Sequence, residues 1–161
     1  SMTLFIEPQM ISPTILFRGM GRVVEVMLDF AKLLNFKVII QTQKDEINKY
    51  KKADKIILDP LDLEEIDEKI DYFVLATHHR DDHKQALKAI SSGIKYVAII
   101  ASQKKAGLIK NYLKKNNVSR ALMKNLFTPA GIDINAKNAE EIALSIISQI
   151  VKIENNKIKE K

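Results

Sequence analysis

The chain has 161 residues, with 26 Lys and Arg against 20 Asp and Glu, no cysteine and no tryptophan. That length suits a single domain with its own core, and the missing thiols exclude disulfides, thiolate metal sites, iron–sulfur clusters and a cysteine nucleophile. A composition of 46% hydrophobic and 29% charged residues is that of a folded globular protein. No apolar stretch approaches the roughly 18–20 residues that span a bilayer, and no signal region opens the chain, so the expectation is a cytoplasmic protein without membrane contact. The net charge of +6 is carried chiefly by lysine; arginine stands only at 18, 22, 80 and 120, and aromatics are 6%. Nucleic-acid readers lean on arginine and aromatic platforms, so the excess points away from nucleic acid and towards small anionic ligands.

Ser1 before Met2 reads as a remnant of tag removal, and residues 1–13, with Pro8 and Pro13, as an arm. Thr14-Ile15-Leu16-Phe17 is a first strand running into Arg18-Gly19-Met20-Gly21. Val23, Val24, Met27, Leu28, Ala31 and Leu34 then recur at helical spacing, which predicts a helix over 22–34. Residues 36–40 form a β-branched second strand. Lys55 to Leu58 is a third, stopped by Asp59-Pro60, and Leu61 to Lys69 a short helix or turn. Residues 72–76 are a fourth strand, 82–92 a helix with Gly93 at its carboxyl cap, and 96–100 a fifth strand. Helices follow at 103–115, near 119–125 and at 139–152; the lysine-rich tail 153–161 is expected to fray. Strands that are apolar along their whole length and alternate with helices imply a parallel sheet covered on both faces. The fold class is therefore α/β, a three-layer, doubly wound, Rossmann-like sheet in one domain over 14–152, with its ligand crevice at the carboxyl edge.

The junctions at that edge carry the candidate chemistry. Gly19-x-Gly21 between strand and helix is the spacing of a phosphate-cradling turn, with Val24 where a third glycine usually stands; Arg22 would add a cation. The second strand ends in Gln41-Thr42-Gln43-Lys44, without the carboxylate that holds a ribose; the amides could bond a ribose, or Lys44 a 2′-phosphate. All three histidines fall in Thr77-His78-His79-Arg80-Asp81-Asp82-His83. His79 and His83 are four apart, a metal-ligand spacing, but an anion or acid–base role fits the cluster better, and capping by Asp81 or Asp82 with solvated histidines better still. Ser102 followed by Lys104 and Lys105 sets cations in a first helical turn, where an anionic ligand would offset their conflict with the dipole. In the loop from Pro129, Asp133 either holds a ligand or satisfies backbone donors, and Asn138 with Glu141 resembles a capping box.

These segments together resemble the carboxyl-terminal Rossmann domain of the xanthine dehydrogenase accessory protein (XdhC/CoxI) family. The matching stretches are Gly19-Met20-Gly21-Arg22-Val23, Thr77-His78, and Ile100-Ala101-Ser102-Gln103-Lys104-Lys105. Two more follow, Pro129-Ala130-Gly131-Ile132-Asp133-Ile134-Asn135-Ala136 and Glu141-Ile142-Ala143-Leu144-Ser145-Ile146. Arg22 replaces the usual histidine, Ala101 and Asn135 replace glycines, and Gln103 replaces an arginine. The resemblance implies an accessory protein in the maturation of molybdenum hydroxylases such as xanthine dehydrogenase. It would bind NAD(P) or the molybdenum cofactor, as pterin phosphate or dinucleotide, without turnover and with no catalytic or metal-ligating residue. The implied site is Gly19, Gly21, Arg22, Val23, Thr77, His78, His79, Ser102, Lys104, Lys105, Gly131 and Asp133. It also implies a separate cysteine-bearing partner domain, since this chain cannot carry a persulfide, and a homodimer. The competing readings are an NAD(P)-dependent oxidoreductase using His78 or His79, and a docking domain with a degenerate pocket.

Overall fold

The computed structural model describes residues 12–77 and 81–159. Six strands, β1 (Thr14–Gly19), β2 (Lys37–Thr42), β3 (Lys55–Leu58), β4 (Tyr72–Ala76), β5 (Val97–Ile99) and β6 (Leu126–Phe127), form one parallel sheet in the order β3-β2-β1-β4-β5-β6. The helices are α1 (Arg22–Leu33), α2 (Asp82–Ser91), α3 (Gln103–Lys115), α4 (Arg120–Met123) and α5 (Ala139–Lys159), with 3-10 turns at Lys44–Tyr50 and Leu63–Glu65. The order is that of two right-handed halves meeting between β1 and β4. The expected three-layer doubly wound sheet is what forms.

Side chains alternate across each strand, so the continuous apolar runs feed both faces. Ile15 and Phe17 of β1 join Val38, Ile40 and Val74 beneath α1 and α5, whereas Leu16, Ile39, Phe73 and Leu75 lie beneath α2 and α3. On the first face Phe36, Tyr72, Tyr96 and Phe127 make a ladder of rings, with successive centroids 6.3, 5.5 and 4.6 Å apart. Each such pair contributes roughly 0.5–1.5 kcal/mol beyond the area it buries. The ladder's hydroxyls hold α5: Tyr72 donates to Glu154, and Tyr96 to Gln149 Oε1 at 2.7 Å.

Three elements differ from expectation. α5 runs to Lys159, through most of the tail expected to fray, because Val151 and Ile153 still pack on the first core. β2 extends through Gln41 and Thr42, both buried, since parallel pairing to β1 and β3 continues to that point. The two-residue β6 gave no periodic signal; it is recruited because the Asn125 carbonyl accepts the Val97 N–H at 2.8 Å and Phe127 stacks on Tyr96.

Candidate functional site: the carboxyl edge of the sheet

At the carboxyl ends of β1 and β4 the chain diverges, leaving β1 for α1 on one face and β4 for α2 on the other. A doubly wound sheet opens a crevice at such a switch point. Gly19 is opposite Ala76 in the β1–β4 register, at φ 143°, and a Cβ there would collide with the Ala76 carbonyl. Gly21 takes φ 104° and ψ −179°, a conformation essentially confined to glycine, and none of the described residues lies within 4 Å of where its Cβ would be. It is the N-cap of α1 and brings no side-chain cap. Its carbonyl accepts the N–H groups of Val24 and Glu25, and its own N–H donates to the Tyr50 hydroxyl at 3.1 Å. Burial pushes the Tyr50 phenol above its ordinary value, so it stays a neutral acceptor. Helix geometry leaves the first-turn N–H groups of Arg22 and Val23 without carbonyl partners inside the helix, at its positive end.

Arg22 does not stand free over that turn. Its Nε donates to Glu140 Oε1 at 2.8 Å, tying α1 to the start of α5; the same contact lowers the Glu140 carboxyl and raises the guanidinium. Val23 is half-buried against the α1–α5 core. At the end of β2, Gln41 Nε2 donates to Asp59 Oδ1 and to the Leu61 carbonyl, each at 2.8 Å. Asp59 also pairs with Arg18 at 3.0 Å, and Arg18 Nη1 donates to Gln85 Oε1 at 2.6 Å. The acid missing after β2 is thus replaced by one from the end of β3, already engaged by a strand arginine. Among the described residues the buried Gln41 Oε1 and Thr42 Oγ1 have no partner. A cleft of about 330 Å³ opens beside this network, lined among others by Arg18, Asp62, Glu65, Thr77, Asp82 and Gln85.

Thr77, leaving β4, donates its hydroxyl to Asp82, which is 2% exposed, and Asp82 Oδ2 lies 2.5 Å from Lys105 Nζ. Neither Asp81 nor Asp82 caps α2 with its side chain: Asp82 is turned inward to join the end of β4 to the first turn of α3. The Lys105 cation is therefore shared with a buried carboxylate. Ser102 is the N-cap of α3, its Oγ accepting the Lys105 N–H at 3.2 Å, and Lys104 is exposed. Gly131, at φ 95°, has room for no Cβ because Ser145 stands against it; its N–H donates to Gln149 Oε1 at 3.1 Å. Asp133 accepts the Asn135 N–H at 3.1 Å, closing an exposed turn. A groove of about 270 Å³ runs between this loop and α5.

His78 and His79 lie outside the described residues. His83 packs edge-on against Tyr112 at 4.5 Å, and among the described residues no group of His, Asp and Glu is arranged to hold a metal ion. Of the expected site, Gly19, Gly21, Arg22, Val23 and Thr77 meet at the switch point. Lys105 joins them through Asp82, with Ser102 and the exposed Lys104 beside it in the start of α3, while Gly131 and Asp133 sit farther along the edge against α5. Sequence reasoning missed Arg18, Tyr50, Asp59 and Gln85. Only Arg18 left a signal: it follows Leu16 by two in a buried strand, so a cation had to face the α2 side.

The chain matches the family described as the XdhC Rossmann domain over residues 15–150. It is 25% identical to the uncharacterized protein YqeB of Escherichia coli (strain K12), across 97% of this chain and 30% of that protein. A Bacillus halodurans crystal structure described as a xanthine dehydrogenase superposes with a TM-score of 0.75 at 24% identity, covering 90% of this chain and 43% of that one. The chain thus spans less than half the length of either relative. Among the described residues no helix is long and apolar enough to cross a membrane. With a Rossmann-like parallel sheet and a family match over nearly the whole described chain, this protein belongs to the XdhC Rossmann-domain family.

Proposed function

We propose that the crevice between β1 and β4 holds a phosphate-bearing cofactor without turning it over, as part of the cytoplasmic maturation of a molybdenum hydroxylase such as xanthine dehydrogenase. The observation that carries this reading is the amino end of α1: a glycine N-cap in a glycine-only conformation, without a side-chain cap and with none of the described residues within 4 Å of its Cβ position. Backbone N–H groups at a helix's positive end are a ready anion site, and Gly19 lets β1 and β4 close tightly beneath it. The residues fit a phosphate better than a ribose. The Arg18–Asp59–Gln41 network occupies the place of a ribose-holding acid, although the orphaned Gln41 and Thr42 oxygens leave acceptors for a ligand or water there. NAD(P) and the pterin phosphate of the molybdenum cofactor, or its dinucleotide, are the candidates; Gly19, Gly21, Arg22, Val23 and Thr77 would frame the phosphate. Ser102, Lys104, Lys105, His78, His79, Gly131 and Asp133 complete the proposed rim. When bound, the pterin would bring the dithiolene that ligates molybdenum, and this chain would supply only its seat. Isothermal calorimetry with NADH, NADPH and molybdopterin tests it. Binding below millimolar, lost in Gly21→Ala without loss of fold, is expected; no binding to any of them would overturn it, and NADPH turnover with a carbonyl substrate would make the protein an oxidoreductase instead.

A further inference from the structure

Between His83 and Ile132 the chain carries ten Lys and Arg and not one Asp or Glu, leaving sixteen cations against all twenty acids elsewhere. The fold gathers this stretch into one corner, made of α2, α3, α4, β5 and β6. Three of the ten cations are paired to carboxylates from outside the stretch: Lys84 to Asp81, Lys88 to Asp62 and Lys105 to Asp82. The other seven, Lys95, Lys104, Lys110, Lys114, Lys115, Arg120 and Lys124, are exposed and form no ion pair among the described residues. α3 runs antiparallel to the strands, so its last turn, α4 and the approaches to β5 and β6 share the amino edge, away from the cofactor crevice. Ala106, Ile109 and Leu113 face the core. The opposite stripe starts at Lys104, on the cofactor rim, and leads away from it through Leu108, Asn111 and Lys115 at i+4, i+7 and i+11; Leu108 is 62% exposed. Lys114 and Lys115 complement the helix dipole, but the dipole explains neither an exposed leucine nor the absence of acids from the whole stretch between His83 and Ile132.

We propose that the outer face of α3 with the adjoining amino edge is a docking surface for an acidic protein surface, Leu108 being the apolar anchor within a cationic rim. A desolvated apolar contact ringed by charges is how protein interfaces concentrate their energy, and complementary charge steers the approach. One arginine among the seven unpaired cations, and no exposed aromatic on α3, argue against a nucleic acid. A single leucine is too little apolar area to bury in a bilayer. A second copy paired by two-fold symmetry would lay this face on itself, cation against cation. The partner's identity rests on the function proposed above: it is the client hydroxylase, which would bring an acidic patch to this corner while the crevice at the other edge keeps its cofactor.

The test is interferometry of the whole chain against purified molybdenum hydroxylase from the same source at low and high salt, with duplex DNA and phosphatidylserine vesicles as parallel probes. The variants are Leu108→Asp and the triple Lys114→Gln/Lys115→Gln/Arg120→Gln, each checked for an unchanged melting temperature. Salt-sensitive binding weakened about tenfold or more by each variant is expected, the loss of a buried anchor or several rim charges. Unaltered binding of both folded variants would overturn the surface and leave the proposed function standing. No binding by the wild type would overturn the client assignment and this surface together, with cofactor calorimetry still judging the crevice. Tighter binding to DNA or vesicles, or self-association abolished by Leu108→Asp, would assign the face to those occupants and overturn a protein client.

Discussion

Gly19 and Gly21 belong to one turn and both adopt left-handed backbone, yet alanine should affect them differently. At Gly21 an added Cβ meets none of the described residues within 4 Å, so Gly21→Ala carries backbone strain alone, about 1–3 kcal/mol. At Gly19 the same strain is joined by a collision with the Ala76 carbonyl, a backbone group held in the β1–β4 ladder that cannot swing aside. Overpacking of this kind costs typically 1–3 kcal/mol more. A difference of about 2 kcal/mol corresponds to roughly 4–8 °C in melting temperature for a domain of this size. Thermal unfolding of both variants by circular dichroism should therefore place Gly19→Ala at least several degrees below Gly21→Ala. The ligand effect should run the other way: Gly21→Ala stays folded and loses phosphate affinity, because its methyl projects into the open space over α1. Equal melting temperatures, or Gly21→Ala the lower, would show that the β1–β4 contact is not what requires the first glycine.

Three further outcomes follow from the contacts. Asp82→Asn should cost about 2 kcal/mol, for the weakened bonds to Thr77 and Lys105, while freeing the Lys105 cation, which is 30% exposed, to raise phosphate affinity; chemical denaturation and phosphate titration read the two effects. Gln149→Leu leaves both the buried Tyr96 hydroxyl and the Gly131 N–H without an acceptor and should cost about 2–4 kcal/mol, against about 1 kcal/mol for Tyr96→Phe; urea midpoints compare them. The carboxyls of Asp62, Glu68 and Glu140 are lowered by their bonds to Lys88, Lys55 and Arg22, and in Asp54 the Lys32 contact and Val38 N–H outweigh the opposing burial. Groups lowered in the folded state contribute above their unfolded values, 3.8 for Asp and 4.5 for Glu, and lose that contribution as pH falls through the folded ones. The melting temperature should be flat from pH 8 to pH 6, within about 2 °C, and fall steadily below about pH 4.5; a profile rising towards acid would contradict these pairings.

Residue types in order decide the junctions wherever the chemistry is local. Gly93 takes the positive φ of a helix end, and the Glu141 N–H donates to Asn138 Oδ1 at 2.8 Å, though the Glu141 carboxylate accepts from the Lys137 N–H where a full capping box would use that of Asn138; both features depend on neighbours within a few residues. Charge is not local in this way. Arg22 and Lys105 look in sequence like free cations beside a phosphate, but their partners, Glu140 and Asp82, stand 118 and 23 positions away. The Tyr50 hydroxyl at the glycine turn and the Asp59 that substitutes for a second-strand acid arrive from elements with no motif of their own.

Hydrophobic periodicity and glycine placement by themselves determined the five longer strands, the main helices and the two-faced sheet, since burial of a continuous apolar run has few geometric solutions. Only the tertiary structure decided which cations are paired and where the sixth strand pairs. Ion pairs and edge pairing are contacts between distant segments, and their energy does not exist until the sheet has brought those segments together.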